Sequence, residues 1–563
     1  MRMKHKLILP ILLIAAACST PEKPEKSTGL VTTSAMVVSA HPEASRVGKE
    51  ILKKGGNAID ASIAVQFALA VVFPAAGNIG GGGFMVARFA DGSVDALDYR
   101  EKAPDAASPN MYIGETGEPM VEKSIRGHLA CGVPGTVAGL ADAHHKYGKL
   151  SWSELVQPAI DLAIKGVVLT EREASGLRNI QEDLKKYNTT IPDHLISENW
   201  KKGDILFQEE LGHTLERIRD GGRAGFYDGK TAQDIVAEMK SGGGLITLQD
   251  LKNYTAVWRK PVRFDYKDYN VISMPPPSSG GVLLAQLLNA AADFPEKNWK
   301  PNGLESSHYI IEAERRAYAD RAAYLGDPDF ISIPVEQLIR KDYMKKRMAD
   351  VDPEKATPSA EVGAGVIPAE SDQTTHLSIV DAQGNAVAVT TTLNAGYGSM
   401  VVVAGSGFLL NDEMDDFSVK PGVPNIYGAI GGEANKIEPG KRMLSSMTPT
   451  IVEKDKKLFM VLGTPGGTTI ITTVFQTILN VVEHGMSMQE AVTAKRFHMQ
   501  WMPDVVGHEP GAFSASDSTM LLKKGHKLTL RKSIGRMDAI RILKDGRLEG
   551  GADPRGDDTA DGY

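Results

Sequence analysis

Residues 371–394 read SDQTTHLSIVDAQGNAVAVTTTLN, and the chain changes character inside this stretch. Upstream, DPEKATPSAEVGAGVIPAESDQ (352–373) has no helical or strand period and reads as a mobile segment. From Thr374 onward apolar and polar residues alternate, Gln383-Gly384-Asn385 makes a turn, and the alternation resumes up to Thr392. That pattern is a β-hairpin. A second hairpin pattern, PTIVEKDKKLFMVLGTPGG (449–467), is followed by TTIITTVFQTILNVVEHG (468–485), a buried helix. Downstream of the seam the chain therefore mixes antiparallel strands with helices.

Upstream, HPEASRVGKEILKKGGN (41–57) predicts an amphipathic helix ending in Gly, and NAIDASIAVQFALAVVFP (57–74) a buried one. Gly80–Gly83 then lead into two alternating strands joined by Asp-Gly. A dinucleotide fingerprint needs strand, glycines, then helix. Here the glycines follow a helix and precede a strand, so they mark close backbone approach. Residues 134–350 read as mainly helical.

The 563 residues are 42% hydrophobic and 24% charged, which sustains a large core. Net charge is −7, with 63 basic and 70 acidic residues interspersed, so nucleic acid is not an expected partner. The start differs from the rest. MRMKHK is basic, and Leu7–Ala17 is apolar but shorter than the about 20 residues of a spanning helix. Residues 1–17 read as a signal peptide. Ala15-Ala16-Ala17 before Cys18 is similar to a bacterial lipobox, which would lipidate Cys18 and leave an exported, periplasmic, membrane-anchored protein. Residues 18–33 read as a polar, Pro-punctuated tether. The other cysteine, Cys131, sits before an Ala/Leu-rich helical pattern and reads as a small buried thiol. Adjacent His144 and His145 lack the i, i+4 spacing of a helical metal pair. With no HExxH, CxxC or Asp-rich loop, no metal is expected.

A strand that begins at Thr after a mobile segment has a chemical reading. Cutting Gln373–Thr374 would give Thr374 a free α-amine beside its hydroxyl. Such an amine has a reference pKa of about 7.7–8.0. It can take the hydroxyl proton, so one residue supplies nucleophile and base. Thr is also common at strand starts because it is β-branched, so the doublet alone does not decide the matter. Other stretches add to it. Gly466 and Gly467 in GTPGGTT (463–469) lie where backbone N–H groups could face an oxyanion. NDEMDDF (411–417) crowds acids into an apolar context, suited to a cation such as an amino group. KRMLSSMTPT (441–450) offers adjacent serines and a basic pair, and DYREKAP (98–104) puts Arg100 at a strand end, suited to gripping a carboxylate. Together they describe a pocket for a free amino-acid head beside an acyl-transfer nucleophile.

These stretches, with LLNDEMDDFSVKPGVPNIYG, GNIGGGGFMV, GVPGTVAGL and the final ADPRGDDTADGY, closely resemble the bacterial γ-glutamyltranspeptidase (glutathione hydrolase) family. The resemblance runs from about residue 33 to the end. It implies an α+β N-terminal-nucleophile fold, two stacked antiparallel sheets between helical layers. It implies self-cleavage into a large subunit, 34–373, and an entwined small subunit, 374–563. By motif, Thr374 would be the nucleophile and Thr392 would orient it, with Gly466 and Gly467 as oxyanion hole. Arg100, Ser445 and Ser446 would hold the substrate α-carboxylate. Asn394, Glu413 and Asp416 would hold its α-amino group; some relatives carry Gln where this chain has Glu413. PGVPNIYGAIGG (421–432) is similar to the lid loop, with Tyr427 as its gating aromatic, which favours the ordinary transpeptidase class. Glutathione or another γ-glutamyl compound would be donor, and water, an amino acid or a peptide the acceptor, without a cofactor. A related acylase of the same fold and an inactive amino-acid-binding surface lipoprotein are the alternatives.

Overall fold

The computed structural model describes residues 28–295, 299–363, 374–419 and 432–563. Two seven-stranded antiparallel sheets form its centre. One runs Thr559–Gly562, Met36–Ser39, Thr374–Val380, Ala386–Thr392, Gly82–Arg88, Val94–Tyr99, Val257–Arg259. The other runs Val31–Thr32, Leu548–Ala552, Asp538–Ile542, Lys457–Gly463, Thr450–Lys454, Tyr269–Ser273, Val262–Tyr266. Each sheet takes strands from both sides of residue 373, so the two parts of the chain interleave.

Side chains of a strand alternate between faces, and the first sheet uses both. Val37, Met85, Ala87, Val387 and Val389 pack into a core with the helices Pro42–Lys53, Ala58–Val72, Thr136–Tyr147 and Trp152–Lys165. Their neighbours Met36, Val38, Phe84, Val86 and Ala388 enter a second core. That core contains the other sheet and the helices Gly280–Ala292, Leu304–Tyr324 and Thr469–Val482. The result is the helix–sheet–sheet–helix arrangement expected from the resemblance. The helix Ala58–Val72 is buried at every position, and Asn57 and Asp60 close its start with a reciprocal capping box.

The segment 134–350 is mainly helical, and within it Val262–Tyr266 and Tyr269–Ser273 form one edge of the second sheet. Their period of two is plain in Val262, Phe264 and Tyr266, which are buried while Arg263 and Asp265 are exposed. One expectation needs correction, because the tether ends before residue 33. Val31–Thr32, β-branched, pairs with Leu548 and Glu549 and covers the opposite edge. Residues 1–17, Cys18, Gln373 and Tyr427, with the lid segment up to 431, lie outside the described residues. Among the described residues no helix is long and apolar enough to cross a membrane.

Candidate active site

Thr374 opens a central strand, with Thr392 directly opposite on the hairpin partner. Strand alternation puts Thr374, His376 and Ser378 on the face turned to the second sheet. His376 shows the direction, since a Cβ on Gly463 would lie 2.3 Å from its ring, and Ser378 Oγ donates to Asp538 O. Burial drives the His376 imidazole pKa down to about 3, so it is neutral, with Nδ1 2.9 Å from Thr390 Oγ1 and Nε2 3.1 Å from Ser378 Oγ. Thr375, of opposite parity, points to the other side. Thr374 is only 6% exposed, and it lines a cavity of about 240 Å³ together with Gly466, Gly535 and Arg536.

Gly466 reaches that cavity because the Lys457–Gly463 strand turns there into the helix Thr469–Val482. Its carbonyl accepts from Thr469 N. A trans peptide then sends the N–H of Gly467 the opposite way, out of the helix start. Gly466 has φ +138°, and a Cβ there would lie 2.5 Å from Thr469 Oγ1, so only glycine suits the turn.

A polar chain links Thr392 to the acid-rich segment. Thr392 Oγ1 accepts from Asn394 N at 2.8 Å, and Asn394 Nδ2 donates to Asp412 O at 3.0 Å. Asp412, Glu413, Asp415 and Asp416 are all buried. Burial pushes the carboxyls of Asp412 and Glu413 well up, and that of Asp415 to about 7. Arg100, also buried, meets this segment directly. Its Nη1 is 2.7 Å from Glu413 Oε2, and its Nη2 bonds Asp416 Oδ2. The same guanidinium donates to the carbonyls of Met443 and Leu444, both at 3.4 Å. That brings it to the adjacent Ser445 and Ser446. Ser445 Oγ accepts from Met447 N at 3.1 Å, and Ser446 Oγ accepts from Arg321 Nη2 at 3.1 Å. The structure thus brings together Arg100, Asn394, Glu413, Asp416, Ser445 and Ser446. The basic pair before the serines turns elsewhere, because Lys441 bonds Glu438 and Arg442 faces Asp98.

A family model described as Gamma-glutamyltranspeptidase matches residues 44–563. The chain belongs to the gamma-glutamyltranspeptidase family. It is 47% identical over 539 residues to the glutathione hydrolase proenzyme of Escherichia coli (strain K12), covering 94% of this chain and 92% of that protein. The corresponding proenzyme of Pseudomonas sp. (strain A14) is 48% identical over 531 residues, 92% of each. Among solved structures, a cephalosporin acylase from Bacillus halodurans matches with TM-score 0.83 at 26% identity, over 98% of this chain and 99% of that one. Helicobacter pylori gamma-glutamyltranspeptidase matches with TM-score 0.57 at 42% identity, over 61% of this chain and 97% of that chain.

In this gamma-glutamyltranspeptidase family member the sequence does not single out Glu101. Glu101 follows Arg100, is fully buried, and among the described residues neither carboxylate oxygen meets a hydrogen-bond donor; Arg100 Nη1 stands 3.6 Å away. It presses on the Thr392 strand pair, since a Cβ on Gly82, which faces Thr392, would lie 2.6 Å from Glu101 Oε2. The unread signal is an acid between Arg100 and Lys102 at a buried strand end. Burial raises its pKa to about 8. An unfolded Glu has about 4.3. The folded state thus holds the proton more tightly, and Glu101 costs stability as pH rises from about 4.3 toward 8. Glu101→Gln is expected to gain on the native protein in melting temperature between pH 5 and pH 8. A gap that stays constant across that range would contradict the buried, protonated carboxyl.

Among the described residues one group has metal-ligand composition, His308, Glu312 and His526, all buried. His308 Nδ1 and His526 Nε2 are 2.7 Å apart, a hydrogen bond. Glu312 is spent on Arg315, Arg316 and Thr357 N. None of the three lines the Thr374 cavity. The group clasps the 350s segment against the helix Leu304–Tyr324, with His308 Nε2 bonded to Asp352 O. Cys131, buried and with its thiol pKa raised to about 12, is unsuited to nucleophilic chemistry.

Proposed function

We propose that the chain is a self-processing γ-glutamyltransferase and glutathione hydrolase that uses Thr374 as an N-terminal nucleophile. The observation that carries this reading is one guanidinium, Arg100, set against three buried carboxylates, Glu101, Glu413 and Asp416, beside the Thr392–Asn394 segment that faces Thr374. Burial holds the Glu101 and Glu413 carboxyls above the usual range, and a substrate α-ammonium supplies the second positive charge that would let one of them ionise. The guanidinium and the hydroxyls of Ser445 and Ser446 suit its α-carboxylate.

Processing comes first. Thr374 Oγ attacks the carbonyl carbon of Gln373, the C–N bond breaks, and the nitrogen takes the proton lost from Oγ to become the new α-amine. Water hydrolyses the resulting ester, leaving chains 34–373 and 374–563 entwined. In turnover the α-amine takes the Thr374 hydroxyl proton as Oγ attacks the γ-carbonyl. The N–H groups of Gly466 and Gly467 meet the oxyanion; one such donor contributes about 3–4 kcal/mol. The C–N bond breaks and the leaving amine takes the proton. Water or an acceptor amine then attacks the ester, the C–Oγ bond breaks, and the proton returns to Oγ.

The likeness to an acylase keeps a second reading open, in which the acyl group lacks an α-amine. γ-Glutamyl-p-nitroanilide and a glutaryl-cephalosporin separate the two. Turnover of the first with at least about a hundredfold preference is expected, because the glutaryl compound leaves the carboxylates of Glu413 and Asp416 without an ammonium. Preference for the second overturns the γ-glutamyl reading. Export by residues 1–17, a lipid on Cys18 and a Tyr427 lid complete the proposal. The mass of the mature amino terminus reads the lipid, and simple signal cleavage would count against it.

A further inference from the structure

A larger cavity of about 640 Å³ lies next to the Thr374 cavity and shares two wall residues with it, Phe73 and Arg536. Its other charges are matched. Arg126 faces Asp412 and Asp183 at 3.5 and 3.9 Å, Arg172 faces Asp557 at 3.6 Å, and Glu173 faces His41 at 3.0 Å. Arg536 differs. Its Nε donates to Asp558 at 2.9 Å, but its buried Nη2 has no hydrogen-bond partner among the described residues. Its guanidinium carbon lies 4.7 Å from the centre of the Phe73 ring. Its backbone is fixed too, since Arg536 N donates to Thr464 Oγ1 at 2.7 Å, in the same turn that carries Gly466. Gly556 clears the side chain's path, because a Cβ there would lie 2.3 Å from Arg536 Cδ. A fixed, half-paired guanidinium on the partition between two cavities is built to take an anion.

We propose that Arg536, stacked on Phe73, is the carboxylate subsite for the amine component of the reaction, binding the terminal carboxylate of the departing peptide and of the incoming acceptor. The inference rests on the function proposed above. Both roles follow from one geometry, because leaving and entering amines approach the same acyl carbon from the same side. With the neighbouring charges already paired, a zwitterionic amino acid or dipeptide fits the space better than a polyanion.

The test compares donors and enzyme variants in one cycle. Native enzyme is assayed with glutathione and with its glycine C-terminal amide, then Arg536→Gln and Arg536→Lys with both. The amide is expected to lower native kcat/KM about tenfold, as is Arg536→Gln on glutathione. Combining the two changes should cost no more than either alone. Arg536→Lys should recover part of the loss. The same ratios are measured with glycylglycine and glycylglycinamide as acceptors. Equal native rates on acid and amide overturn the subsite without any variant, and so do costs that add. Discrimination in the donor arm alone overturns the acceptor role. If native enzyme releases amine from no γ-glutamyl donor, the proposed function fails and the subsite with it. If it cleaves acid and amide donors equally, only the subsite fails.

Discussion

Thr374→Ala is expected to run as one full-length band on a denaturing gel, where the native protein gives two. It should also lose glutathione hydrolysis by at least about a thousandfold. Both losses share one cause. The hydroxyl at the strand start is the proposed attacking group for the Gln373 carbonyl and for the γ-carbonyl. Ala at this position is sterically tolerable, since the site is a strand position facing a cavity, so the fold should survive. Thr374→Ser keeps the hydroxyl and should retain part of both functions, losing only the stiffness that β-branching gives the χ1 angle. Thr375→Ala serves as the neighbour control. Its side chain points to the opposite face of the strand, and it should still be cut. An uncut Thr374→Ala protein that still hydrolyses glutathione would refute the nucleophile while leaving the family membership intact.

The fold was legible where local pattern and tertiary environment agree. Thr374–Val380 and Ala386–Thr392 alternate because one face meets helices and the other meets a second sheet, and both faces leave their period in the residues. The helix Ala58–Val72 was readable as buried from its lack of any polar side. Val262–Ser273 was lost among helices, because a five-residue strand leaves a short record and its alternation competes with longer helical periods on either side. The candidate site was legible as types and not as partners. Acids at 411–417 announced a cation, but not that Arg100, three hundred positions away in sequence terms, supplies one. Glu101 escaped because a single Glu in a charged tripeptide looks solvated until Gly82 and Gly132 are seen close against it. Arg536 escaped for the same reason, as its significance lies in the two cavities it divides.

Arg100→Ala should be the most damaging single change away from the nucleophile. In the native protein one guanidinium serves Glu101, Glu413 and Asp416, all within the buried interior. Breaking a buried pair by removing one partner costs about 3–5 kcal/mol, because the remaining charge must be neutralised or left without a counter-ion. The loss of the α-carboxylate grip should lower kcat/KM for glutathione by at least about a hundredfold. Arg100→Lys keeps charge without the planar fork and should fall between the two. Stability and binding can be separated. Adding Glu413→Gln to Arg100→Ala removes one uncompensated acid, so the melting temperature should recover while activity does not. The stability gap between native and Arg100→Ala proteins should also be smaller at pH 5 than at pH 8. Burial already holds the Glu101 and Glu413 carboxyls above the usual range. Without the cation they bind protons more tightly still, so the variant gains more stability than the native protein as pH falls. If Arg100→Ala kept kcat/KM within about threefold of native, a charge-assisted contact worth about 1.5–3 kcal/mol could not be operating there. The α-carboxylate would then have to be held by Ser445 and Ser446 without the guanidinium.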